Sequence, residues 1–192
     1  NGRMARVLQT FVLGRDGILE PEFSSIEEWL GRNTDDYYAI LAATGRGSWN
    51  PGNDAHDWVR FNLRAHHMQA QTVVRRVEEI DAIWQRLIQL GEPLGIADRL
   101  YDALMDAALG YRVQRSGYAK QTGVEDRTAT RDLKELVDTG LLEAHGQTRG
   151  RFYVAGEPIR SLRQGIRASR PQLLDPYPDL MSEVRASLRE GP

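Results

Sequence analysis

The chain has no cysteine. That excludes disulfides and thiolate metal sites, and it agrees with a reducing compartment, so a cytoplasmic protein is expected. Net charge is scarce as well: 25 Lys and Arg against 27 Asp and Glu leave −2. No global basic field advertises nucleic acid, so any such site must be a local patch. No apolar run approaches the ~18 residues of a membrane span, and no secretory pattern opens the chain; no membrane partner is expected. Position 1 is Asn rather than an initiator Met. Histidine occurs four times. Adjacent His66 and His67 point about 100° apart on a helix, and with His56 they lack zinc-type spacing, so no metal is expected.

What is present is a soluble globular composition, 41% hydrophobic and 27% charged, which argues against disorder. Arg3 to Leu13 reads as a helix with Val7, Leu8, Phe11 and Val12 on one face. Glycines and a proline in "GRDGILEPEF" break it. Ser25-x-x-Glu28 has the spacing of a capping box ahead of Ile26, Trp29 and Leu30. "RNTDDYYAILAAT" gives a further helix, with one ring of Tyr37-Tyr38 inward and the other near the surface. Residues 54 to 90 contain neither Pro nor Gly. There Trp58, Phe61, Val73, Val77, Ile80, Trp84 and Leu87 recur at helical spacing, as helix-packing core. "LGEPLG" is the best domain boundary.

Beyond it the order changes. Ala97 to Leu109 is a helix with Leu100, Leu104, Ala108 and Leu109 inward. "SGYAKQTG" is a short helix or turn. "VEDRTATRDLKELVDTG" is a longer helix carrying Ala129, Leu133, Leu136 and Val137. "LLEAHGQTRGRFYVAG" forms two short strands around a glycine-containing turn. From Glu157 the chain is rich in arginine, and Arg160, Arg163, Arg167 and Arg170 make a basic helix face, read as a solvated one.

The stretch from Ser116 to Val154 resembles a winged helix-turn-helix domain. In that fold the second helix of the motif enters the DNA major groove and the wing touches the backbone. Gly123 allows the turn, and Asp126 or Thr128 caps or begins the recognition helix. Arg127, Thr128, Thr130, Arg131 and Lys134 form its exposed face; Gln147, Thr148, Arg149 and Arg151 form the wing tip. Arg127, Thr128, Arg131, Lys134, Arg149 and Arg151 are the expected nucleic-acid contacts. Residues 111 to 134 carry six basic and three acidic side chains, and residues 145 to 170 carry six arginines and one acid. Glu125 and Asp126 weigh against phosphate contact. The other reading of such a domain is protein contact or a purely architectural role.

"NGRMAR" at the start resembles the last six positions of the Fic signature, H-x-F-x-[DE]-G-N-G-R-x-x-R. "LEPEFSSIEEWLGRNTDDYYAIL", then a Trp and "DWVRFNL", is similar to the segment that follows it in bacterial Fic proteins. The resemblance covers about residues 1–155. It implies AMP transfer from ATP to a hydroxyl on a target protein, with Mg²⁺ in the full-length parent. Asn1, Gly2, Arg3 and Arg6 would cradle the phosphates. The motif's His, Phe, acidic residue and first Gly are absent, so no catalytic residue is assigned and the fragment is expected to be inactive.

The resulting expectation is a mainly α fold. Residues 1–90 form the C-terminal part of a Fic helical core, 96–156 a winged helix-turn-helix with a small β-hairpin wing, and 157–192 a basic tail with a short helix. Expected partners are the transferase's target protein, DNA through the winged helix, and a second copy. The rival class is a non-enzymatic transcriptional regulator whose helical half dimerises and whose winged helix reads a palindrome.

Overall fold

A computed structural model describes residues 2–15, 17, 25–47 and 50–190; within these, the side chains of Arg3, Ala5, Arg6, Gln9, Thr10, Leu13, Arg149 and Glu190 lie outside the description. The described residues are mainly helical, with one two-stranded antiparallel sheet. They form α1 (Gly2–Arg15), α2 (Glu27–Arg32), α3 (Thr34–Gly45), α4 (His56–Gly91), α5 (Tyr101–Leu109), α6 (Arg115–Thr122), α7 (Asp126–Asp138), β1 (Leu142–His145), β2 (Phe152–Ala155), α8 (Glu157–Ala168) and α9 (Leu180–Glu190). Two compact units result: residues 1–75 with 172–192, and residues 76–171.

The first unit is built on aromatic packing. Ile26, Trp29, Ile40, Phe61, Ala65, Leu180, Met181 and Val184 form its core. Trp29 meets Phe61 edge-on at 5.4 Å between ring centres, and Trp58 stacks on Phe61 at 6.2 Å. Arginines on α4 fasten the returning C-terminal segment. Arg64 donates through Nε to both carboxylate oxygens of Asp175, at 3.1 and 2.9 Å, and Arg60 donates to Glu183 at 3.0 Å. Arg185 of α9 pairs with Asp36. Burial pushes the Asp175 carboxyl up, but Arg64 and the Tyr177 N–H outweigh it and hold it below the usual carboxylate range. Tyr37 is half-buried and Tyr38 exposed, the expected division.

One local expectation fails here. Ser25 does not form a capping box: its Oγ accepts only a 3.4 Å bond from the Glu27 N–H, and Glu28 pairs with Arg32 at 2.7 Å instead. On α1, Met4, Val7, Leu8, Phe11 and Val12 are all exposed.

The second unit has an aliphatic core. Leu87, Leu100, Leu104, Leu133, Leu136, Leu141, Leu142 and Ile159 are completely or almost completely buried. Each such side chain stabilises the fold by roughly 1.5–3 kcal/mol. Instead of one helix from Ala97, a 3₁₀ turn at Asp98–Leu100 leads into α5. α6 ends at Gly123, whose φ of +71° is a left-handed conformation that costs other residues steric strain. α7 begins at Asp126, with Ala129, Leu133 and Leu136 turned inward. The hairpin pairs Leu142 with Ala155, Glu143 with Val154, Ala144 with Tyr153 and His145 with Phe152. Val113 adds a bridge to Tyr153, with reciprocal bonds of 2.9 and 2.8 Å. Gly156 closes the hairpin where a Cβ would lie 2.0 Å from the Gly140 carbonyl oxygen, so no larger residue fits. α8 then packs Ile159 into the same core. Helix, turn, helix and hairpin follow one another as in a winged helix.

Candidate nucleic-acid interface

Position 3-4 periodicity fixes which side of α7 meets the core, and therefore which side is offered to a partner. Ala129, Asp132, Leu133 and Leu136 are buried. Arg127, Thr130, Arg131 and Lys134 are exposed and Thr128 is half-buried. The expected recognition face is thus the solvent face. Its cations differ in availability. Arg127 has no ion pair among the described residues, and Arg131, 72% exposed, approaches Asp132 only at 4.0 Å. Lys134 is engaged by Asp138 one turn on, which leaves it the weakest phosphate candidate of the three.

Beside that face lies a concavity of about 380 Å³, lined by Gln114, Arg115, Ser116, Thr130, Thr148, Arg151 and Tyr153. Three elements build it: the start of α6, the middle of α7 and the wing. It gathers two guanidiniums and four hydroxyls around one hollow, groups of the kind that meet phosphate oxygens. Thr130, Thr148 and Arg151 were expected here from the sequence. Gln114, Arg115 and Ser116 were not singled out, although a polar helix start after an extended residue is a readable signal. Arg149 falls in the 3₁₀ turn Thr148–Gly150, but its side chain lies outside the described residues.

The acids counted against this surface are disposed differently. Asp126 pairs with Arg115 at 3.3 Å and sits in the first turn of α7, where the helix dipole favours it. Asp132 is fully buried. Its Oδ2 accepts from Arg99 Nε at 2.8 Å and from the Tyr118 hydroxyl at 3.0 Å, and its Oδ1 accepts from Arg99 Nη2 at 2.8 Å. The network ties the 3₁₀ turn and α6 to α7 at its midpoint. The Arg99 bonds hold the Asp132 carboxyl below the usual carboxylate range despite burial. Burial first, then the bond to Asp132, pushes the Tyr118 phenol up to about 12. On the wing, Phe152 stacks against His145 at 5.5 Å and carries the Arg112 guanidinium at 4.5 Å, which stiffens the hairpin.

The other sequence candidates are less informative. Asn1 lies outside the described residues, as do the side chains of Arg3 and Arg6; Gly2, Arg3 and Arg6 are seen only as backbone of α1. His66 is half-buried and burial pushes its imidazole down. Among the described residues no cluster of His, Asp and Glu is arranged to hold a metal ion, and no helix is long and apolar enough to cross a membrane.

No family model matches the chain, and no curated protein does. Solved structures similar to it include a MarR-family transcriptional regulator from Rhodococcus sp. RHA1, 20% identical, covering 62% of this chain and 78% of that one with a TM-score of 0.34. Others are RV1404 from Mycobacterium tuberculosis, 14% identical over 73% and 84% with 0.35, and transcriptional regulator PA3341, 19% identical over 63% and 82% with 0.32. These findings correct the Fic reading. No Fic model matches, and two of these three structures are described as transcriptional regulators. The transferase-fragment function falls with it. The physical reason for the error is the brevity of "NGRMAR": two arginines one turn apart at a helix start satisfy it without any phosphate cradle. The ATP and Mg²⁺ expectation rested on that resemblance alone and is not carried forward.

Proposed function

We propose that the protein is a non-enzymatic, DNA-binding winged-helix regulator, cytoplasmic, working as a pair of copies. In this reading α7 enters the major groove. Arg127, Thr128 and Arg131 face base edges, Lys134 follows the backbone, and Arg149 and Arg151 reach flanking phosphates from the wing. One observation carries the reading: Arg115, Ser116, Thr130, Thr148 and Arg151 converge on one hollow from the two helices of the turn motif and the hairpin. Arg115 and Thr130 are held by Asp126, and Ser116, Thr148 and Arg151 have no side-chain hydrogen bond among the described residues. The protein's overall charge of −2 does not oppose it, because the basic groups are local. The pairing of copies is supported by Val59, Leu63 and Val74, which stand exposed along α4 of the first unit.

Selection from a random duplex library, followed by electrophoretic shift of the enriched sequences, tests this. The expected product is a palindrome with half-sites about 34 Å apart, or a multiple of that. Failure to enrich any sequence, with equal retention of a protein-only competitor surface, would assign the domain to protein contact instead.

A further inference from the structure

The wing turns on a strained residue. Among the described residues two non-glycine residues have a positive φ, Arg46 at +47° and Thr148 at +51°. Arg46 ends α3, where a left-handed residue closes the last helical turn. Thr148 ends no helix; it opens the 3₁₀ turn Thr148–Gly150 at the wing tip. A branched Cβ is crowded by the backbone in that conformation, and glycine or asparagine is the usual occupant.

Glycine stands where the tip is tightest. Gly146 has a φ of +74°, and a Cβ there would lie 2.8 Å from the Gly150 carbonyl oxygen. The Gly150 N–H donates to the Gln147 carbonyl at 3.2 Å, and the Arg151 N–H donates to the Thr148 carbonyl at 3.3 Å. Neither bond uses the Thr148 side chain. Its hydroxyl makes no hydrogen bond among the described residues, so none of them offsets the strain through it. The side chain is exposed and lines the hollow of about 380 Å³ that Ser116 and Arg151 also line. Strain of this kind persists only where the surrounding structure holds it, and it gathers at sites that grip a ligand.

We propose that Thr148 is held left-handed so that its hydroxyl donates to a phosphate of bound duplex, beside Ser116 and Arg151. The proposal rests on the nucleic-acid reading of the α7 face and its hollow. It adds an uncharged donor, which grips a phosphate without releasing a counterion.

Urea unfolding and binding of a duplex enriched from the random library, measured on the full chain and three variants, test it. Thr148→Gly relieves the strain; it is expected to raise the urea midpoint and yet to weaken the duplex about tenfold. Thr148→Val keeps the branch and lacks the hydroxyl, so it should lose the same binding with the midpoint unchanged. Thr148→Ser restores the donor and should bind as the native chain does. The salt slope should be common to all four, because no charge is removed. A Thr148→Gly or Thr148→Val variant that binds like the native chain, a Thr148→Ser variant as weak as Thr148→Val, or a lower urea midpoint for Thr148→Gly would each overturn the proposal. A native chain that enriches no duplex overturns the nucleic-acid reading and this proposal with it. Duplex binding that the Thr148 variants leave intact overturns this proposal alone.

Discussion

The two units differ in how many of their arginines they leave open. In the first, Arg60, Arg64 and Arg185 are committed to Glu183, Asp175 and Asp36, and they bind the C-terminal segment back onto α4 and α3. In the second, one arginine, Arg99, is committed to a buried acid, while Arg127, Arg131 and Arg151 are left to solvent around the α7 face and its hollow. Arg160 and Arg170 close the second unit in the same manner, and the open charge is confined to the α7 face and its hollow. Arg99 locks α7 from behind, and Arg127, Arg131 and Arg151 stay open on its other side.

That contrast can be broken first at the cores. Phe61→Ala removes the ring at the centre of the first unit's aromatic cluster and is expected to cost about 3–5 kcal/mol. Urea unfolding gives the loss. Hydrogen exchange should show the amides of Ile40 and Val184 losing protection before those of Leu133 and Leu136. The reverse order would contradict the assignment of Phe61 to the first core.

Asp132→Ala is next in size. It strands the Tyr118 hydroxyl and the Arg99 guanidinium. Removing one partner of a buried pair costs about 3–5 kcal/mol, but Arg99 is 39% exposed and recovers some hydration, so about 2–3 kcal/mol is expected. DNA binding should fall as well, because the recognition helix loses its central tie.

The same pair sets a pH window. Asp132 has its carboxyl depressed in the folded state, chiefly by Arg99. Its contribution is therefore complete above the ordinary value of 3.8 and is lost as pH falls through the lower folded value. Tyr118 is raised from 10.0 to about 12, chiefly by burial, so its contribution is complete below pH 10 and lost as pH rises through 12. Urea midpoints should be level between these limits and fall outside them. Asp132→Asn should flatten the acid side relative to the native chain.

The smallest effect sharpens the contrast. Arg185→Ala, at a half-exposed pair, is expected to cost about 0.5 kcal/mol or less in stability and to leave DNA binding unchanged. Arg131→Ala, also near neutral for stability, should weaken a selected duplex by about 1–3 kcal/mol. A common response of the two variants in either assay would erase the division between closing and presenting arginines.

Much of the second unit was legible because its signals are local. The turn glycine Gly123, the buried positions Ala129, Leu133 and Leu136, and the hairpin around Gly146 follow from spacing within a few residues. Asp132 was not legible. It sits 33 residues from Arg99 and 14 from Tyr118, so the sequence shows it only as one of three acids in a basic stretch. Three-dimensional closure turns it into a buried anchor. Val113 was missed for a similar reason, since a single bridging residue has no period. In the first unit the failures are of another kind. Ser25 and Glu28 have capping-box spacing, but Glu28 finds Arg32, and the Arg64–Asp175 pair spans 111 residues. The Fic resemblance erred because four specified residues in six describe a helix start more than they describe a site.

The central claim is that α7 and the wing present free cations to a nucleic-acid backbone. Its most direct test is the salt dependence of duplex binding for the native chain and for Arg151→Ala. The account predicts that the logarithm of the binding constant falls linearly with the logarithm of salt, with a slope reduced by about one in the variant. Binding that ignores salt, or a slope that Arg151→Ala leaves unchanged, would contradict it.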